Sequence, residues 1–210
     1  MHPNQVFRKT PQDRCVAFAR ERSFGSLAVN CESGPLISHI PFQLSDDGTC
    51  LEAHLVRSNP VVRLLDGPVD AVIAISGPDA YVSPDWYGMD NQVPTWNYIA
   101  VHIRGQLRRL EESELHGILE RLSAAMEARL APKPPWSIDK MDPEIFQRMQ
   151  LQIVPVAMTV DSVEGTFKLS QNKPDSARIA AANGIRTGST GTETAILADL
   201  MDRPGGASNV

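Results

Sequence analysis

The sequence predicts a mainly β protein with added helices, folded as a small antiparallel barrel. Three observations lead there. Six or seven strand-like segments follow one another at meander spacing. Helical patterns sit between some of them without the regular alternation of a parallel α/β sheet. A chain of 210 residues, burying roughly 70% of its unfolded surface, suits one sizeable core rather than two. An open α+β sandwich is the nearest competing architecture.

Thr10, Pro11 and Asp13 supply an N-cap, a proline at the first helical position and an approximate capping box, predicting a helix to about Arg22. "FGSLAVN" at 24–30, "PLISHIPFQL" at 35–44 and "TCLEAHLV" at 49–56 predict three antiparallel strands, the last two joined through the turn cluster "SDDG". Asn59 and Pro60 cap and start one or two helical turns through Leu65. "VDAVIAISG" at 69–77 is a nearly continuous apolar strand, and "DAYVSPDWYG" at 79–88 a separate extended piece broken at 83–85. In "VPTWNYIAVHIRG" at 93–105, Ile99, Val101 and Ile103 alternate with Ala100, His102 and Arg104, the period-2 pattern of a half-buried strand, here running to about Leu110.

After Ser113, residues Leu115, Ile118, Leu119, Leu122, Met126 and Leu130 recur at amphipathic helical spacing until "APKPP" at 131–135 stops them. Asp142, Pro143 and Glu144 cap another short helix. "QIVPVAMTVDSV" at 152–163 returns to strand, with Pro155 expected at an edge or bulge, and "GTFKLSQN" at 165–172 ends the sheet. A helix from Pro174 to about Asn183 is expected to stop on Gly184 as its C-cap. A shorter one covers about 195–201, and the tail "RPGGASNV" is expected to be disordered.

Net charge is -5 at pH 7, with cations scattered along the chain, so the global field does not favour a polyanionic partner and direct DNA binding is doubtful. Cys15, Cys31 and Cys50 are odd in number and lack CxxC spacing, which suits a reduced interior. The N-terminal stretch has no apolar signal region, and the longest apolar run, "AVIAI" at 71–75, is far short of the roughly 20 residues a membrane helix needs. A soluble, cytoplasmic protein with no membrane partner is expected.

"HLVRSNP" at 54–60 places His54, Arg57, Ser58 and Asn59 where a strand gives way to a helix. An anion there would meet backbone N–H groups, hydroxyl and amide donors and a guanidinium suited to phosphate. A plain N-cap beside a solvated arginine explains the same residues. His39, His54 and His102 lie far apart in sequence without an i, i+4 pair, a weak metal signature. The glycines at 184, 188 and 191 follow a helix instead of a strand and so lack the context of a dinucleotide loop. "YVSPDWYG" and "VPTWNY" hold two of the three tryptophans and all three tyrosines, which suits either an interface seam or a cleft for a flat heteroaromatic ring.

Taken in order, "SHIPF", "GTCLEAHLVRSNP", "GPDAYVSPDWY", "VPTWNYIAVHIRG" and "EGTFKLSQN" resemble the PaiB family of FMN-binding split-barrel proteins over roughly residues 4–185. The resemblance implies an antiparallel split barrel, a homodimer with FMN in clefts shared by two subunits, and the role of negative transcriptional regulator linked to protease synthesis and sporulation. On that pattern His54, Arg57, Ser58 and Asn59 lie at the flavin-phosphate end, and Ser38 and His39 lie beside the ribityl chain or ring. Thr95, Trp96 and Asn97, with Lys168 and Gln171, close the cleft, in part from the partner subunit. The domain expected is an FMN-binding split barrel with inserted helices over 1–185, followed by a C-terminal helical extension and flexible tail over 186–210.

A flavin supplies its own redox chemistry, so neither a Ser-His-Asp set nor paired carboxylates are required. Three functions fit this pattern: a flavin-linked regulator acting indirectly, a flavin-dependent oxidoreductase or flavin reductase acting on a small molecule, and a purely structural dimer. The acidic balance and the lack of a helix-turn-helix or basic arm weigh against direct action on DNA.

Overall fold

The computed structural model describes residues 1–204. Seven strands follow in chain order: β1 (Phe24–Cys31), β2 (Gly34–Leu44), β3 (Cys50–Val56), β4 (Val69–Val82), β5 (Thr95–Arg109), β6 (Ile153–Lys168) and the short β7 (Gly191–Thr192). Five α-helices accompany them: α1 (Gln12–Arg22), α2 (Leu115–Ala128), α3 (Pro143–Gln150), α4 (Asp175–Thr187) and α5 (Thr194–Asp202). The sheet order is β1-β2-β3-β6-β5-β4-β7, and β1 also pairs with β4, so the six long strands form a closed ring of pairings. The β1–β2, β1–β4, β2–β3 and β3–β6 pairs are all antiparallel. This is the mainly β, antiparallel architecture that the alternation predicts.

The chain divides into two compact units. One comprises Ser23–Ala74 and Ile103–Val163, holding β1 to β3, α2, α3 and parts of β4, β5 and β6. Its core is made by alternate residues of the strands, among them Leu27, Phe42, Leu51, Leu55, Ile73 and Ile103, all fully buried. Each such side chain contributes about 1.5–3 kcal/mol of hydrophobic stabilisation. The other unit comprises Met1–Arg22, Ile75–His102 and Glu164–Val210. Here α4 packs on α5, and buried Arg178 ties them together by donating to the Met201 carbonyl and, at 2.8 Å, to Asp175.

Four expectations are corrected. Residues 69–77 and 79–82 are one strand, β4, rather than two pieces. Its inward face moves from odd positions to even ones where Gly77 and Pro78 are both buried, as a bulge does without ending a strand. Likewise β6 runs unbroken to Lys168. Pro155 lies within it, opposite His54 of β3, while its carbonyl accepts from Leu110 N–H at 3.0 Å; with neighbours on both sides it is not at an edge, and its unbroken register against β3 leaves no bulge in that pair. Finally, α4 continues through Gly184 to Thr187 and is capped at Gly188. Gly184 serves close packing, because a Cβ there would sit 2.4 Å from the Trp86 ring. The tail at 205–210, expected to be disordered, lies outside the described residues.

Candidate functional site

The end of β3 gathers most of the first expected cluster. Leu51, Ala53 and Leu55 point into the core, which puts His54 on the opposite face by the pleat of the strand. Past Val56 the chain turns through Arg57 and Ser58 into a 3₁₀ helix, Pro60–Leu64. Asn59 is its N-cap: Oδ1 accepts from Val61 N–H at 2.9 Å, while Nδ2 donates to Ser38 Oγ of β2 at 2.8 Å. This five-residue turn has its first free N–H taken by its own cap, so helix-terminus attraction for an anion is small and side-chain donors carry the corner. His39 is exposed on β2, and Ser58 is exposed in the turn.

Arg57 is held firmly rather than simply solvated. Its Nε donates to the Leu151 carbonyl at 2.7 Å, and Nη2 donates to the Ile153 carbonyl at 2.9 Å and to both Glu112 oxygens at 3.0 and 3.1 Å. Arg109 also donates to Glu112, at 2.7 Å. Two guanidiniums therefore share one carboxylate, leaving the local balance positive, and the Arg57 hydrogen bond is the leading cause that holds the Glu112 carboxyl below its ordinary range. None of these Arg57 bonds uses Nη1. His54 stands apart from this group, lining a cavity beneath α2 and α3; burial pushes its imidazole pKa down, and its Nδ1 is buried with no hydrogen-bond partner.

The second expected cluster lies in the other unit. Lys168, half-buried at the end of β6, donates to Thr95 Oγ1 and, at 2.6 Å, to the Trp96 carbonyl, with its ammonium 5.9 Å from the centroid of the Phe7 ring. Desolvation lowers its pKa. Trp96 keeps 46% of its surface exposed and meets Tyr81 edge-on. Asn97, by contrast, is completely buried: its amide donates to Ser170 Oγ at 2.8 Å and to Met201 Sδ, and Ser170 in turn bonds Tyr87 at 2.9 Å. The side chain of Gln171 is spent mainly on nearby backbone, accepting from Leu169 N–H at 2.8 Å and donating to the Phe167 carbonyl at 2.6 Å.

The structure thus brings Ser38 to Asn59 and Thr95 to Lys168, and sequence reasoning missed three features. Glu112 was signalled only by the charge run "RRLEE" at 108–112, two basic residues followed by two acidic ones. The Tyr87–Ser170–Asn97 bonds join residues more than 70 positions apart, and no local pattern announces them. The cavity beneath α2 and α3 depends on how two helices cross a sheet. Among the described residues no group of three His, Cys, Asp or Glu side chains could hold a metal, and no helix is long and apolar enough to cross a membrane.

These features describe an antiparallel split barrel. A family profile described as "Putative FMN-binding domain" matches residues 1–162. The chain is 31% identical over 175 residues to the Protease synthase and sporulation protein PAI 2 of Bacillus subtilis, covering 82% of this chain and 83% of that one. It is 26% identical to an uncharacterised protein of Emericella nidulans, covering 79% and 82%. It therefore belongs to the FMN-binding domain family, in its PaiB branch. Among solved structures, the FAD and haem binding protein of Mycobacterium smegmatis superposes with a TM-score of 0.56 at 17% identity, covering 88% of this chain and 82% of that one. A flavocytochrome of Azotobacter vinelandii gives 0.55 at 11%, covering 80% and 72%. At such identities these two support the fold alone.

Proposed function

We propose that this protein binds FMN as a homodimer, with the flavin phosphate at the Arg57–Ser58 corner, and that its regulatory effect runs through flavin or a partner protein. The observation that carries the reading is the arginine itself. Four hydrogen bonds to a shared carboxylate and two carbonyls fix its guanidinium at the strand end and leave Nη1 unused by them. A cation held in place loses little freedom when an anion arrives, which favours affinity. The donor set fits a phosphate ester: a guanidinium, the exposed Ser58 hydroxyl and a turn pinned by Asn59 to β2.

Ser38 and His39 border the ribityl side in this reading. Trp96, exposed and flat, covers the ring from the partner subunit, helped by Thr95 and Lys168. Asn97 and Gln171 act behind them, holding the backbone from which Trp96 and Lys168 project. Bound FMN would supply one- and two-electron redox chemistry, and the chain supplies its binding and electrostatic setting.

Titrations of FMN and riboflavin, followed by quenching of flavin fluorescence, test the assignment. Arg57→Ala is expected to weaken FMN by about 1.5–3 kcal/mol, the worth of a charge-assisted hydrogen bond, and to leave riboflavin nearly unchanged. Equal losses for both ligands would move the phosphate away from Arg57.

A further inference from the structure

The corner at the end of β3 holds a second guanidinium to which the phosphate reading gives no role. In the sheet, β6 lies between β3 and β5. Arg57 leaves the end of β3 and bonds the Leu151 and Ile153 carbonyls, where β6 begins, as well as Glu112, just past the end of β5. Its guanidinium thus reaches from β3 toward β5, and it shares the Glu112 carboxylate with Arg109, the last residue of β5. Both arginines use the same oxygen: Oε1 accepts from Arg57 Nη2 at 3.1 Å and from Arg109 Nη2 at 2.7 Å. These contacts leave Nη1 of each guanidinium uncommitted.

Two features set this group apart from an ordinary surface ion pair. A pair matches one charge with one, whereas here two cations crowd a single anion that offsets their mutual repulsion only in part. A second anion relieves it. The three side chains are also 40–50% exposed, so an incoming phosphate reaches them from solvent, and a guanidinium fork matches phosphate geometry. We propose that Arg109 is a second phosphate-binding residue of the flavin site, with Glu112 holding the two guanidiniums side by side so that one phosphomonoester engages both. The inference rests on the placing of FMN at this corner and adds a residue to it. Glu112 acts by position, keeping like charges together until the phosphate supplies the further negative charge.

Fluorescence titrations of the full chain with FMN and with riboflavin test it in four variants: Arg109→Ala, Arg108→Ala, Glu112→Gln, and Glu112→Gln combined with Arg109→Ala. Arg109→Ala is expected to weaken FMN at least about tenfold, the worth of one charge-assisted hydrogen bond, and to leave riboflavin unchanged. Unchanged riboflavin binding also reports an intact fold. Arg108→Ala removes the same charge from the neighbouring position of β5 and should alter FMN binding little. In the Glu112→Gln background, Arg109→Ala should still weaken FMN, because an arginine that touches the phosphate does not act through the carboxylate. FMN affinity that survives Arg109→Ala but falls with Arg57→Ala overturns the inference and leaves the flavin reading standing. An equal loss with Arg108→Ala, or an equal loss for riboflavin, overturns it by assigning the effect to the general field or to the fold. A loss that disappears in the Glu112→Gln background overturns it by making Arg109 a support for Glu112 alone. A wild-type chain that binds no FMN overturns this inference and the flavin reading together.

Discussion

Arg57 and Glu112 form a pair whose consequences can be read in pH. The carboxyl of Glu112 is held below its ordinary range by Arg57 first and Arg109 second. Its stabilisation is therefore complete above the unfolded-state pKa, about 4.3, and is lost as pH falls through the lower folded-state value. Half of the Glu112 side chain is exposed, so solvent screening limits the effect of Glu112→Gln at neutral pH to under about 1 kcal/mol. Urea unfolding of both proteins, repeated from pH 7 down through the carboxylate range, should show this gap closing; a gap independent of pH would remove the ion pair from the account. Arg57 was legible because a guanidinium at a strand end has a recognisable use. Glu112, Leu151 and Ile153, which hold it, lie 55 to 96 positions away and could be found only by folding the chain.

At the scale of elements, the strands were legible because their inward faces alternate, and α2 because its apolar residues recur at helical spacing. The misses came from treating glycine and proline as punctuation. Pro155 and Gly184 sit inside their elements because neighbouring packing decides the local conformation: Leu110 N–H bonds the Pro155 carbonyl, and the Trp86 ring lies against the Gly184 backbone. The same logic applies to Gly105 in β5, where an added Cβ would meet the Thr159 carbonyl oxygen at 2.0 Å. Gly105→Ala is expected to destabilise by about 1–3 kcal/mol or more, the cost of forcing atoms into filled space. Gly67→Ala, where no atom lies within 4 Å of the new Cβ, is the control and should change thermal stability little. Equal melting temperatures for the two variants would contradict the close contact of β5 with β6.

For the molecule as a whole, net charge -5 and scattered cations bear on the regulatory reading. Specific DNA binders neutralise several phosphates with clustered Lys and Arg. Arg57 and Arg109 share Glu112, so the β3 corner offers a place for a single phosphate and not an extended basic face. Electrophoretic shifts at about 150 mM salt, with random competitor DNA and with or without FMN, should find no competitor-resistant complex at nanomolar protein, the range of specific binders. Such a complex would require a basic face assembled from two subunits.

The central claim, that the chain holds FMN at the end of β3, is tested most directly by the visible absorbance of the purified protein after FMN is added and the mixture is desalted. The flavin bands should elute with the wild-type protein and be lost or much reduced with Arg57→Ala. A wild-type protein that elutes colourless and leaves FMN fluorescence unquenched in titration would contradict the claim.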